Sequence, residues 1–331
     1  MRIALDAHGS DNSPVPEVEG AVKAIYENYC DLVYLVGQEE ILNKELEKYY
    51  YDHNRIKVVN ARQIITMEDS AAVSARNKPD SSIARAIELH KNGEAEAVVS
   101  AGNTGAVMAA SLFLLGRIKN VHRPAIALTL PTQHNYEIIL DIGANVDCEP
   151  EYLVHFAIMG SLYAREMLNV DSPRVSLLNI GEESIKGSKL IKTTYSLLAA
   201  EKKINFIGNI EGKDLLKGVT DVVVCDGFVG NIILKTVEGA FVSIFDIMKE
   251  QFKKDWVAKL GALLSYPVYS YLKKKLDHTE YGGALLVGLN GLPIVAHGRS
   301  NGKAIMNALK FACKISHSGF VHKVQQYFEE V

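Results

Sequence analysis

AVVSAGNTGAVMAASLFLLG, residues 97–116, decides the class of fold. Its opening run, with adjacent valines, predicts a buried strand. The chain then turns through Gly102, Asn103 and Gly105 and resumes as an apolar stretch whose length and content of Ala, Met and Leu suit a helix. The same succession recurs along the chain. Apolar or β-branched runs stand at RIALD (2–6), LVYLVG (32–37), IKVV (56–59), AIALTL (125–130), IILDIGAN (138–145), VSLLNIGEE (175–183), INFIGN (204–209), DVVVCDG (221–227) and PIVAHG (293–298), nearly all closing on Gly, Asp or Asn. Helix-like stretches such as PEVEGAVKAIYENY, SSIARAIELHKNG and EYLVHFAIMGSLYAREML lie between many of them. Continuous apolar strands alternating with helices predict an α/β protein with a mainly parallel sheet covered on both faces, a three-layer α/β/α arrangement. Ligands gather beyond the carboxyl ends of strands in such sheets, so the amide- and acid-bearing loops are expected to converge at one edge.

The composition supports one large core. A chain of 331 residues removes roughly three quarters of its extended surface from water on folding. With 48% hydrophobic and 23% charged residues it is neither disordered nor fibrous. No polar linker divides it, so residues 1–331 read as a single catalytic unit. Residues 235–282 read as a projecting helical region, with Pro267 expected to kink or end a helix. Thirty-six basic against 39 acidic side chains exclude a global field for nucleic-acid binding. Cys30, Cys148, Cys225 and Cys313 lack metal-site spacing, no metal or other cofactor is expected, and neither a secretion signal nor a run of about 20 continuous apolar residues appears. The expected compartment is the cytoplasm.

The strand-end loops carry the chemistry. In DAHGSD (6–11), Asp6 or His8 can orient or exchange a proton, Gly9 admits close backbone approach, and Ser10 and Asp11 suit a turn with a helix cap. In SAGNTGA (100–106), Asn103, Thr104 and the Gly105 amide stand with a helix's free amides, an arrangement that suits phosphate and equally a capped helix without ligand. DIGANVD (141–147) delivers Asp141, Asn145 and Asp147. Hydrogen bonding to loop amides fits these better than a metal pair. In NIGEESIKG (179–187), Lys186 can neutralise an anion, or pair with Glu182 four residues earlier at the start of a charged helix. Asn209, Asp226 and Asn231 follow other strands, with a helix beginning near Val229. Dinucleotide, nucleophile-elbow and metalloprotease motifs are missing, and the cysteines have no activating partner, which favours direct transfer over a covalent enzyme intermediate.

Residues 251–275 hold a local charge asymmetry. Lys253, Lys254, Lys259 and Lys273–Lys275 face one acid, Asp255, while Phe252, Trp256, Leu260, Leu263 and Leu264 follow a helical face. A membrane surface, a dimer contact and an acidic docking partner each account for this pattern.

The blocks DAHGSD, SAGNTGA, DIGANVD, LLNIGEESIKG, INFIGNIEG, DVVVCDGFVGN, YGGALLVGLNG and IVAHGRSN together resemble the bacterial phosphate acyltransferases of phospholipid synthesis, the PlsX family, over nearly the whole chain. This chain departs from that pattern at His8, Ser10 and Arg299, where the family usually has a methionine, a glycine and a small residue. The resemblance implies transfer of a long-chain acyl group from acyl carrier protein to inorganic phosphate, giving acyl phosphate and free carrier. It implies a homodimer peripherally attached to the inner face of the cell membrane, where a glycerol-3-phosphate acyltransferase takes the product. It also implies a fold like isocitrate and isopropylmalate dehydrogenases and phosphate acetyltransferase. On motif position and chemistry, Asp6, Gly9, Asn103, Thr104, Gly105 and Asn145 are expected to bind phosphate or carbonyl, and Lys186, Asn209, Asp226 and Asn231 to act in catalysis. Lys253, Lys254, Trp256, Leu260, Leu263, Leu264 and Lys273 are expected to meet lipid or carrier. The alternatives are a related transferase that takes its acyl group from coenzyme A and a noncatalytic membrane scaffold.

Overall fold

A computed structural model describes residues 1–276, 280 and 282–330, with Lys273 given by its backbone alone. The strands are β1 (Arg2–Asp6), β2 (Leu32–Gly37), β3 (Ile56–Asn60), β4 (Ala97–Ser100), β5 (Ala125–Pro131), β6 (Tyr136–Leu140), β7 (Arg174–Asn179), β8 (Asn205–Glu211), β9 (Val222–Val224), β10 (Ala284–Val287) and β11 (Pro293–Val295). The helices are α1 (Val15–Tyr26), α2 (Glu39–Leu46), α3 (Ala71–Asn77), α4 (Ser82–Lys91), α5 (Thr104–Leu114), α6 (Pro150–Leu168), α7 (Lys189–Ala200), α8 (Gly227–Phe252), α9 (Trp256–Leu276), α10 (Gly302–His317) and α11 (Phe320–Glu329). Every expected strand forms, and β10 is an addition.

One sheet runs in the order β3-β2-β1-β4-β11-β10-β5-β6-β9-β7-β8. Alternate residues enter opposite cores. Ile3, Leu5 and Val99 join Val18, Phe156 and Ile305 of α1, α6 and α10 on one face. Ala4, Val98 and Ile139 join Ile87, Val107 and Ile233 of α4, α5 and α8 on the other. Burial on both faces explains why the strands read as unbroken apolar runs, and the three-layer, mostly parallel arrangement is as expected.

The strand directions correct one expectation. β10 is antiparallel to both β11 and β5, and β5 is antiparallel to β6. β6, β9, β7 and β8 are parallel to one another. They therefore run against β1, β4 and β11, and the loops following them leave the opposite edge of the sheet. The loops do not all share one edge.

α8 and α9 form the expected helical hairpin, with Phe245 edge-on to Tyr269 at 5.3 Å between ring centroids. α8 starts at Gly227, before residue 235, and α9 continues through Pro267, which does not end it. By length and composition α8 could cross a membrane, and only 6% of its apolar window is buried. Lys235 and Glu238 interrupt that window. Residues 277–279 and 281 of the projecting region, and the Lys273 side chain, lie outside the described residues.

Candidate active site

Three loops meet beyond β1, β4 and β11. Asp6, fully buried, accepts hydrogen bonds from the Ser100 hydroxyl at 2.7 Å and the His8 amide at 3.2 Å, and Ser100 Oγ accepts the Gly102 amide at 3.1 Å. A Cβ on Gly9 would come within 2.6 Å of the Gly102 amide nitrogen, so the first two loops pack backbone to backbone. The Asp11 amide donates to the Gly298 carbonyl at 2.8 Å and ties in the loop after β11. Burial raises the Asp6 pKa, opposed by its donors.

His8 is a structural residue in this assembly. Its Nε2 accepts the Gln38 amide at 2.9 Å, and burial lowers its pKa, which keeps the ring neutral. Both ends of the Asn103 amide are likewise engaged. Oδ1 caps α5 by accepting the Ala106 amide, and Nδ2 donates to the carbonyls of Met67 and Asp69. The outward groups here are the exposed Thr104 and Gly105 at the helix start. Sequence reading missed Ser100 and Glu17. Glu17 accepts the Ser10 amide at 3.0 Å, and burial lifts its carboxyl to about 7. Its place in an amphipathic helix gave no sign of that.

At the opposite edge, Asp141 is a fully buried acceptor of the amides of Ile126, Gly143, Ala144 and Asn145 and of Asn145 Nδ2, at 2.7–3.2 Å. Asn145 Nδ2 also reaches the Pro124 carbonyl at 2.8 Å. Burial raises the Asp141 pKa against these donors. Asp226 caps α8 by accepting the Val229 amide at 2.8 Å. The first turn of α8 crosses this loop so closely that a Cβ on Gly230 would lie 1.9 Å from the Asp141 carbonyl oxygen. Asn231, exposed, flanks Gly143. Burial pushes the Cys148 thiol up to about 12 and the Cys225 thiol well above its ordinary value, so neither is a ready nucleophile.

Lys186 belongs to the loop after β7, whereas Asn209 lies within the neighbouring β8, paired with Leu177, and does not follow the strand as expected. Asn209 Nδ2 donates to the Glu183 carbonyl at 3.1 Å, and Asn179 Nδ2 to that of Lys186 at 3.2 Å. Residues 180–187 form a turn in place of the expected charged helix, and the partner of Lys186 is Glu183, at 3.7 Å, in place of Glu182. Both of these side chains are more than half exposed, so the pair contributes little and the ammonium stays available.

Both edges share a pattern. Asp6, Asp141 and Asp226 are spent on loop amides, while Thr104, Asn231, Lys186 and the helix starts face outward. Such a surface favours anions. Among the described residues, no group of three or more His, Cys, Asp and Glu is placed to hold a metal ion. Beside the loop after β11, a groove of about 690 Å³ opens between α8 and the end of β5, lined also by His297 and Arg299.

A family model described as fatty acid synthesis protein matches residues 1–323. A phosphate acyltransferase of Dictyoglomus turgidum is 50% identical over 317 residues, covering 95% of this chain and 94% of its own. Another, from Halothermothrix orenii, is 47% identical and covers 98% of each. Among solved structures, the EutD phosphotransacetylase of Staphylococcus aureus aligns with a TM-score of 0.61 at 15% identity, over 96% of this chain and 94% of that one. A branched-chain phosphotransacylase of Enterococcus faecalis V583 aligns at 0.58 and 16% identity, over 96% and 99%. These likenesses correct the expected fold class. The course of the chain follows phosphotransacetylases nearly end to end, and the isocitrate/isopropylmalate dehydrogenase-like assignment is set aside. That assignment came from the family resemblance, which set the dehydrogenases beside phosphate acetyltransferase; the layering they share is common to many α/β folds.

Proposed function

The chain belongs to the phosphate acyltransferase family and is an acyl-transferring enzyme, and from that premise we propose that it moves a long-chain acyl group from an acyl carrier protein thioester to inorganic phosphate. A phosphate oxygen attacks the thioester carbonyl carbon, the new C–O bond forms, the C–S bond breaks, and the electron pair leaves on the carrier's sulfur, which then takes up a proton. Phosphate is already nucleophilic at neutral pH, so positioning and electrostatic stabilisation carry most of the acceleration.

The observation that supports this reading is the division of labour in the loops. Asp6, Asp141 and Asp226 are turned onto amides, and Thr104, Asn231 and Lys186 are left outward beside the exposed acids Asp11, Asp147, Glu182 and Glu183. In our reading Thr104 and the Gly105 amide hold phosphate or the carbonyl, within a loop frame set by Asp6, Gly9 and Asn103. Lys186 and Asn231, at the opposite edge of the sheet, offer a second set of donors to anionic substrate. Asn209, Asp226 and Asn145 position the loops that carry them.

The exposed face of α9 supports peripheral attachment to the inner membrane surface. Trp256, Leu263 and Leu264 are 76%, 72% and 76% exposed, with Lys253 and Lys254 nearby. The same lysines suit an acidic carrier, a homodimer suits the large apolar surface of α8, and a glycerol-3-phosphate acyltransferase would consume the product.

Matched palmitoyl-carrier and palmitoyl-coenzyme A, offered with and without phosphate, test the donor. The expected result is phosphate-dependent acyl phosphate made preferentially from the carrier. Preference for coenzyme A would replace the carrier with that donor, and lipid binding without product from either would support a scaffold.

A further inference from the structure

We propose that the groove along α8 is the acyl-chain subsite and that its depth sets the chain length transferred; this rests on the long-chain reading above. Leu130, Pro131, Leu234, Val237 and Phe241 give it apolar walls. Lys235 and Glu238, which also line it, neutralise each other in an ion pair at 2.8 Å. His297 and Arg299 also line it, in the loop bonded through Gly298 to Asp11. Through that loop the groove adjoins the first set of strand-end loops, where a thioester head would react.

Phe245 of α8 and Leu276 of α9 line the groove as well. From Leu234 to Phe245 the helix rises about 16 Å, which matches the reach of a long hydrocarbon chain. A groove with apolar walls drawn from α8, α9 and β5, joined by polar residues of a strand-end loop, has the mixed character of an acyl thioester. Each methylene withdrawn from water is worth about a fourfold gain in affinity, enough to discriminate between chain lengths.

Gly239 lines the groove midway, and a Cβ placed there meets no atom within 4 Å. Gly239→Leu therefore fills the groove without a clash, and it improves helix propensity, so the variant should fold. We expect transfer of a palmitoyl group, read as kcat/KM, to fall at least tenfold while transfer of a hexanoyl group stays within about twofold. Phe241→Ala, which opens the wall, should move the preferred length upward.

Equal loss at every chain length overturns the proposal, as does an unchanged profile. An unchanged profile accompanied by dissociation of a dimer would assign the groove to a second copy of the chain. Wild-type protein that makes no acyl phosphate from any chain length would overturn the long-chain reading itself, an outcome distinct from failure of the subsite alone.

Discussion

Asp141 takes five N–H donors, and removing the carboxylate leaves the buried Ile126 amide and the part-buried loop amides without it, while Asn145 Nδ2 keeps the Pro124 carbonyl. Asp141→Ala should therefore destabilise the protein by on the order of 3 kcal/mol, read by denaturant unfolding; a change within measurement error would contradict the loop-organising role. Glu17 gives the opposite pH behaviour from an ordinary salt-bridged acid. Burial lifts its carboxyl from 4.5 to about 7, so its contribution to stability is full below pH 4.5 and is lost as pH rises through about 7. Glu17→Gln should lose less stability than the wild type on moving to mildly alkaline buffer, by on the order of 1–3 kcal/mol. A parallel decline in both proteins would contradict this. Lys186→Met tests the proposed cation. The rate should fall and the KM for phosphate should rise, with the fold intact because the side chain is exposed. Unchanged values would remove Lys186 from the site. The residue types at the strand ends were legible in the sequence. Whether each acid turned inward or outward was not, because the donors of Asp141 come partly from Ile126, fifteen positions away.

Strands were legible because central strands are buried on both faces and read as continuous apolar runs. Direction was not legible for the same reason. β10 is as uniformly buried as the parallel strands of the sheet, and its four residues between glycines carry no period that marks it antiparallel. Three reversals near the middle of the sheet then moved the ends of β6, β7, β8 and β9 to the other edge. The α8–α9 hairpin was legible as a projection, and its exposed side chains allow a direct test. Leu263→Asp with Leu264→Asp should weaken binding to vesicles of anionic lipid at least tenfold while leaving turnover of a soluble donor nearly unchanged, because neither side chain supports the core. Unchanged vesicle binding together with separation into monomers would assign this face to the partner subunit instead of lipid.

Across the whole molecule, a net charge of -3 leaves attraction of an acidic carrier to local lysines, and the two sets of strand-end loops sit at opposite edges of one twisted sheet. The central claim is that phosphate itself attacks the acyl thioester. Phosphate fully labelled with heavy oxygen, supplied with palmitoyl-carrier, tests this by the mass of the acyl phosphate formed. Direct attack predicts that the product retains every labelled oxygen of the phosphate, one of them bridging to the acyl carbon. Product that has lost one label, or product formed at the same rate without phosphate, would contradict the account.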